Sequence, residues 1–117
     1  MSKFKSGLLP SVIAIVAGSM HCVSAYAAGG YVVNGATISN IANTNGNTPS
    51  FVVTVAGGTG PCAGTTITFT QSAAADADTF KRAYAAAILA FTTGSTVSIY
   101  NYTDTTCTNA AYIIVSH

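Results

Sequence analysis

The stretch Asp78-Thr79-Phe80-Lys81-Arg82-Ala83-Tyr84-Ala85-Ala86-Ala87-Ile88-Leu89-Ala90-Phe91-Thr92 decides how the rest of the chain is read. It contains neither Gly nor Pro, and its large apolar residues do not alternate. Phe80, Tyr84, Ala87, Ile88 and Phe91 fall at i, i+4, i+7, i+8 and i+11, which predicts one apolar stripe along an α-helix. Asp76 or Asp78 can cap its N-terminus, where a carboxylate also meets the positive end of the helix dipole. Gly94 stands where a C′ glycine ends a helix. The other positions, Ala83, Ala85, Ala86, Leu89 and Ala90, make a smooth face suited to close packing against another chain. A plain Ala-rich helix surface is the alternative.

Outward from this helix, in both directions, the period drops to two. Upstream, Tyr31-Val32-Val33 and Ala36-Thr37-Ile38-Ser39-Asn40-Ile41 form an extended region. Between them, Asn34-Gly35 is either a tight hairpin turn or a bulge that bends one long strand. Residues 43–49 carry the Asn, Gly and Pro of a loop. Phe51, Val53 and Val55 share one face of a second strand. Gly57-Gly58-Thr59-Gly60-Pro61 is a turn into Cys62. In the third strand Ile67 and Phe69 point inward and Thr66, Thr68 and Thr70 outward.

Downstream, Val97 and Ile99 point one way and Ser98, Tyr100 and Tyr102 the other. Residues 103–109 form a polar turn holding Cys107. The last strand, residues 110–116, includes Tyr112-Ile113-Ile114-Val115, too apolar to be solvated on both faces. The predicted order is β-β-β-α-β-β. That gives a mainly β fold with one helix: a small five-stranded OB-like barrel whose helix plugs one end. An open antiparallel sheet crossed by one helix is the alternative.

The N-terminus reads differently. Lys3 and Lys5 precede the apolar run Leu8 to Ala17, and Ala25 and Ala27 give the small-x-small pattern of a signal peptidase site. Residues 1–27 are therefore expected to be a cleaved signal peptide, leaving residues 28–117 as one secreted or periplasmic domain. The run is broken by Pro10 and is short of the about 20 apolar residues a bilayer span needs, so membrane insertion is not expected. Cleavage removes Cys22 and leaves Cys62 and Cys107, an even number in an oxidising compartment. A Cys62–Cys107 disulfide is expected, with two free thiols as the alternative. In a domain this small the bridge weighs heavily on stability.

Composition excludes several kinds of function. The expected mature chain keeps Lys81 and Arg82 against Asp76, Asp78 and Asp104, a net charge of −1. That surface neutralises few phosphates, so nucleic acid is not an expected partner. No cofactor or metal is expected, because one His and two bridged Cys do not make a zinc site. His117 is the last residue, where the packing a catalytic triad needs on both sides is missing. Gly57-Gly58-Thr59-Gly60 lacks the Lys and the following helix of a phosphate loop. An enzyme is therefore not expected. The residues that suggest binding are Tyr100 and Tyr102, outward on the fourth strand. Each offers an apolar plate with a hydroxyl, suited to stacking on a sugar ring, or to covering a subunit interface.

From Phe80 to Ile99 the chain also resembles the B subunits of subtilase-type bacterial cytotoxins. The matching residues, without a gap, are Phe80-Lys81, Ala87, Thr93-Gly94, Val97 and Ile99. Pro49-x-Phe51 and the Gly/Thr turn into Cys62 are similar too. Elsewhere the likeness lies in element order. The resemblance implies an exported OB-fold protein that assembles as a homo-pentamer, binds host glycans bearing sialic acid, and works with a separate catalytic toxin subunit. The chain departs from the family in Gly29 to Asn40 and in the position of its bridge. A secreted, non-catalytic binding subunit is the expected function, with a host or environmental glycan, or a protein partner, as its ligand; the alternative is a structural, self-assembling periplasmic or surface protein without a small ligand.

Overall fold

The computed structural model describes residues 29–117. The signal peptide expected over residues 1–27 lies outside the described residues.

Strand β1 is Gly30–Ala42, a single strand of 13 residues. Gly35 sits in it at φ +69°, and the register against the neighbouring strand shifts between Val33 and Ala36. Asn34-Gly35 is therefore the bulge and not a hairpin turn. The bend lets one strand serve two partners, as closing a small barrel requires. Its first half pairs with β4 (Thr96–Asn101) and its second half with β2 (Ser50–Ala56), both antiparallel. Strand β3 (Thr66–Thr70) follows β2 antiparallel, and β5 (Tyr112–Ser116) follows β4 antiparallel. The strand order is β3-β2-β1-β4-β5.

The two ends of that sheet meet. Phe69 of β3 and Ala110, just before β5, form a parallel bridge. Around it the Thr68 N–H donates to the Cys107 carbonyl at 2.8 Å, and the Ala110 N–H donates to the Thr68 carbonyl at 3.0 Å. This seam turns a five-stranded sheet into an OB-like barrel. The Cys62–Cys107 disulfide stands beside it, with Cα atoms 5.8 Å apart. Cys62 is fully buried, and its N–H donates to the Val32 carbonyl of β1 at 2.8 Å. One bridge thus holds β1, the β2–β3 turn and the segment before β5 together.

The glycines of that turn have a steric reason. A Cβ on Gly58 would stand 2.7 Å from the Asn34 carbonyl oxygen, and one on Gly60 would stand 2.7 Å from that of Val32. The turn closes directly onto β1, where Asn34 and Thr59 bridge; only residues without a side chain allow that approach.

Alternation sets the interior. Val32, Val33, Phe51, Val53, Val55, Ile67, Phe69, Val97 and Ile99 are all buried. Phe51 and Phe69 stack with centroids 4.5 Å apart. One outward expectation is corrected: Thr68 is buried, because the segment from Cys107 to Ala110 lies along its strand.

Helix α1 is Ala77–Thr93, capped by the Asp76 carboxylate accepting from the Thr79 N–H and ended by Gly94 in the left-handed region. It packs on β1 and β5. The face it uses differs from the expected stripe. Ala83, Ala87 and Ala90 are buried, with Phe80 and Tyr84 half-buried around Phe51, whereas Ile88, Leu89 and Phe91 are exposed. At 100° per residue, the contact face is rotated by about 60° toward the alanines. Small side chains let the helix axis approach the barrel, and the bulkier Ile88 and Phe91 are left outside. Ala83 and Ala90, expected on a face free for another chain, are used by the barrel itself.

Candidate functional site

Strand β4 decides what faces solvent on one side of the barrel. With Val97, Ile99 and Asn101 inward, Ser98 and Tyr100 point outward, and Tyr102 follows just beyond the strand. Asn101 is fully buried, an unusual place for an amide. Its Oδ1 accepts from the N–H groups of Thr103 at 2.8 Å and Asp104 at 3.0 Å. Its Nδ2 donates to Asp104 Oδ1 at 2.7 Å and to the Thr106 carbonyl at 3.0 Å. Every polar atom of the side chain is thus used, which is what burial of an amide requires. The Asp104 carboxylate also accepts from the N–H and hydroxyl of Thr106 at 2.9 and 2.7 Å. Those bonds hold its carboxyl below the ordinary aspartate value. The turn that presents Tyr102 is therefore fixed by a polar network.

Register brings two further tyrosines to the same face. Tyr31 of β1 stands opposite Tyr100, and Tyr112 of β5 stands opposite Tyr100 on the other side. The Tyr31 and Tyr100 rings meet edge to face at 4.9 Å, and those of Tyr100 and Tyr102 at 4.8 Å with a tilt of 59°. Tyr112 lies 6.5 Å from Tyr100 and 6.4 Å from Tyr102. Tyr102 is 61% exposed, Tyr31 42% and Tyr112 41%, while Tyr100 is half-buried in the middle of the row. Four aromatic plates with four hydroxyls share one face.

Beside this row lies a depression of about 360 Å³. Tyr102 and Tyr112 form one wall, Ala73, Ala74 and Ala75 the other, and Ala111 and Thr79 complete the lining. A smaller hollow of about 180 Å³ continues past Tyr112 to Arg82 and Ile113. The first has the volume of small-ligand sites, roughly 300–1,000 Å³, with an apolar lining and a few polar groups.

Of the residues named from the sequence, Tyr100 and Tyr102 are neighbours in this row. Cys62 and Cys107 are bonded to each other, and Cys107 lies in the chain between Tyr102 and Tyr112. His117 stands at the opposite end of β5 from Tyr112, with Nδ1 3.4 Å from the Ser95 hydroxyl. Tyr31 and Tyr112 carry no mark of the site in the sequence, because only strand pairing brings them to Tyr100. The sign that points to Asn101 is an amide at an inward strand position followed by Thr103 and Asp104, an Asx-turn pattern. Among the described residues, no group of three His, Cys, Asp or Glu is placed to hold a metal ion. No helix among them is long and apolar enough to cross a membrane.

Fold and site together define a class: a small OB-like barrel, clasped by one disulfide, that displays tyrosines across β1, β4 and β5. The chain belongs to a family of unknown function, DUF5992, whose model matches residues 11–117. No curated protein and no solved structure matches the chain.

Proposed function

We propose that this is an exported, non-catalytic binding protein whose tyrosine face takes a glycan. The observation that supports this reading is the in-register row Tyr31–Tyr100–Tyr112, extended by Tyr102 and bordered by an apolar depression. Isolated exposed tyrosines need no explanation, but four clustered around Tyr100 expose an apolar surface carrying hydroxyl groups. That combination matches a sugar ring, which has C–H groups on its face and hydroxyls at its edge. The likeness to toxin B subunits points the same way, and on that likeness a homo-pentamer with a separate catalytic toxin subunit belongs to the proposal. Glycan-array binding by the oxidised protein, lost in Tyr100→Ala and Tyr102→Ala, is the expected result. No binding to any glycan by that protein would overturn the reading.

A second reading, a self-assembling structural protein, is favoured by the exposed Ile88, Leu89 and Phe91 on α1. Light scattering separates the two. An oligomer that binds no glycan and dissociates in Leu89→Glu supports the structural reading. A monomer at high concentration excludes it, together with the pentamer.

A further inference from the structure

The charges around the groove narrow the ligand. Asp76 and Asp78 stand at the N-terminus of α1, directly after the Ala73-Ala74-Ala75 wall. Arg82 lines the smaller hollow that adjoins the groove, not the groove itself, and it is already engaged: its Nη2 donates to Thr79 Oγ1 at 3.0 Å. Its charge also acts on Asp76, whose carboxyl is held low first by the Thr79 N–H and hydroxyl and further by Arg82. Lys81, the other cation of the described residues, lines a different depression with Asn43, Phe51 and Phe80. Asp104, two residues from Tyr102, is occupied by Asn101 and Thr106. The residues lining the groove, alanines with Thr79, Tyr102 and Tyr112, carry no charge, and the guanidinium of the adjoining hollow is committed, so an anionic group entering the groove finds no cation to pair with.

We infer that the groove between the Tyr102–Tyr112 wall and the Ala73–Ala75 wall takes an uncharged pyranose, its C–H face on the tyrosines, and not an acidic sugar. This rests on the glycan reading above and departs from the sialylated ligands that the toxin resemblance implies. The lining offers no cation to pair with a carboxylate or sulfate, and its alanines accommodate a C–H face or an acetamido methyl group. The tyrosine hydroxyls donate to and accept from sugar hydroxyls equally.

The test is a screen of the full-length, oxidised protein against neutral glycans ending in galactose, glucose or N-acetylglucosamine and against sialylated and sulfated ones. The expected result is binding to a neutral glycan that changes little with salt and little in Arg82→Gln. Tyr102→Ala should weaken it about tenfold or more. Ala75→Trp, at an exposed position, fills the depression without entering the barrel and should weaken binding similarly. It keeps the test valid if a tyrosine variant folds poorly. Binding to acidic glycans alone, weakened by salt and by Arg82→Gln, would overturn the neutral-sugar assignment and leave the glycan reading standing. Neutral-glycan binding that survives both Tyr102→Ala and Ala75→Trp would place the ligand elsewhere and overturn this site. Failure to bind any glycan would remove both readings.

Discussion

The protein contains two aromatic groups that differ in almost everything except composition. Inside, Phe51 and Phe69 stack nearly parallel at 4.5 Å, and Phe80 and Tyr84 close over Phe51 at 5.4 and 5.0 Å. Outside, four tyrosines meet edge to face or tilted and stay open to water. The first group removes apolar area from solvent and fills the barrel, so its value lies in stability. The second leaves much of its ring surface exposed, so the free energy of covering it remains available to a ligand. The strand aromatics thus divide by parity, Phe51 and Phe69 inward and Tyr31, Tyr100 and Tyr112 outward, while the helix adds Phe80 and Tyr84 to the inner group.

The largest expected effect tests the inner group. Phe69→Ala removes a fully buried ring at the seam and should cost about 3–5 kcal/mol in denaturant unfolding; a loss below about 1 kcal/mol would show that the inner group does not hold the barrel. Next comes the clasp that connects the two regions. A loop of about 45 residues closed by Cys62–Cys107 predicts about 4 kcal/mol in the chain-entropy model, so reduction should lower stability by about 2–4 kcal/mol. If the seam hydrogen bonds sufficed without the bridge, reduction would leave the unfolding midpoint in place.

A smaller effect is expected at the start of the helix. Asp76→Ala leaves the Thr79 N–H without its acceptor and should lower the melting temperature by a few degrees, without changing the shape of the unfolding transition. Acid should act in the same direction. The folded-state pKa values of Asp76 and Asp104 lie below the ordinary value of 3.8. Their stabilisation is therefore fully present above that value and is lost as pH falls through the lowered ones. A melting temperature constant from neutral pH to about 5 and dropping below about 4 is the expected profile; a flat profile down to pH 2 in both wild type and Asp76→Ala would contradict it. The smallest effect on stability belongs to the outer group. Tyr102→Ala should change unfolding by no more than about 0.5 kcal/mol while weakening ligand binding about tenfold or more. A large destabilisation would erase the distinction between the two aromatic groups.

Much of the barrel is legible along the chain. Phe51-x-Val53-x-Val55 and Val97-x-Ile99 declare their buried faces by alternation, and Gly94 marks the end of a helix whose cap the sequence narrows to Asp76 or Asp78. These signals are local, set by backbone geometry over a few residues. The site is only half legible, since Tyr100 and Tyr102 come from one strand's parity while Tyr31 and Tyr112 come from pairings with residues 69 and 12 positions away in the chain.

The amino-acid sequence by itself determined the number and kind of elements, the inward faces of the middle strands and the limits of the helix to within a residue or two. The tertiary structure alone decided that Asn34-Gly35 bends one strand instead of joining two. It also decided that α1 rests on Ala83, Ala87 and Ala90 with Ile88 and Phe91 left out, and that four tyrosines share a face. The division follows range: periodicity and capping are satisfied within a turn or two of chain, whereas register, the choice of helix face and barrel closure depend on close approach between segments far apart in sequence.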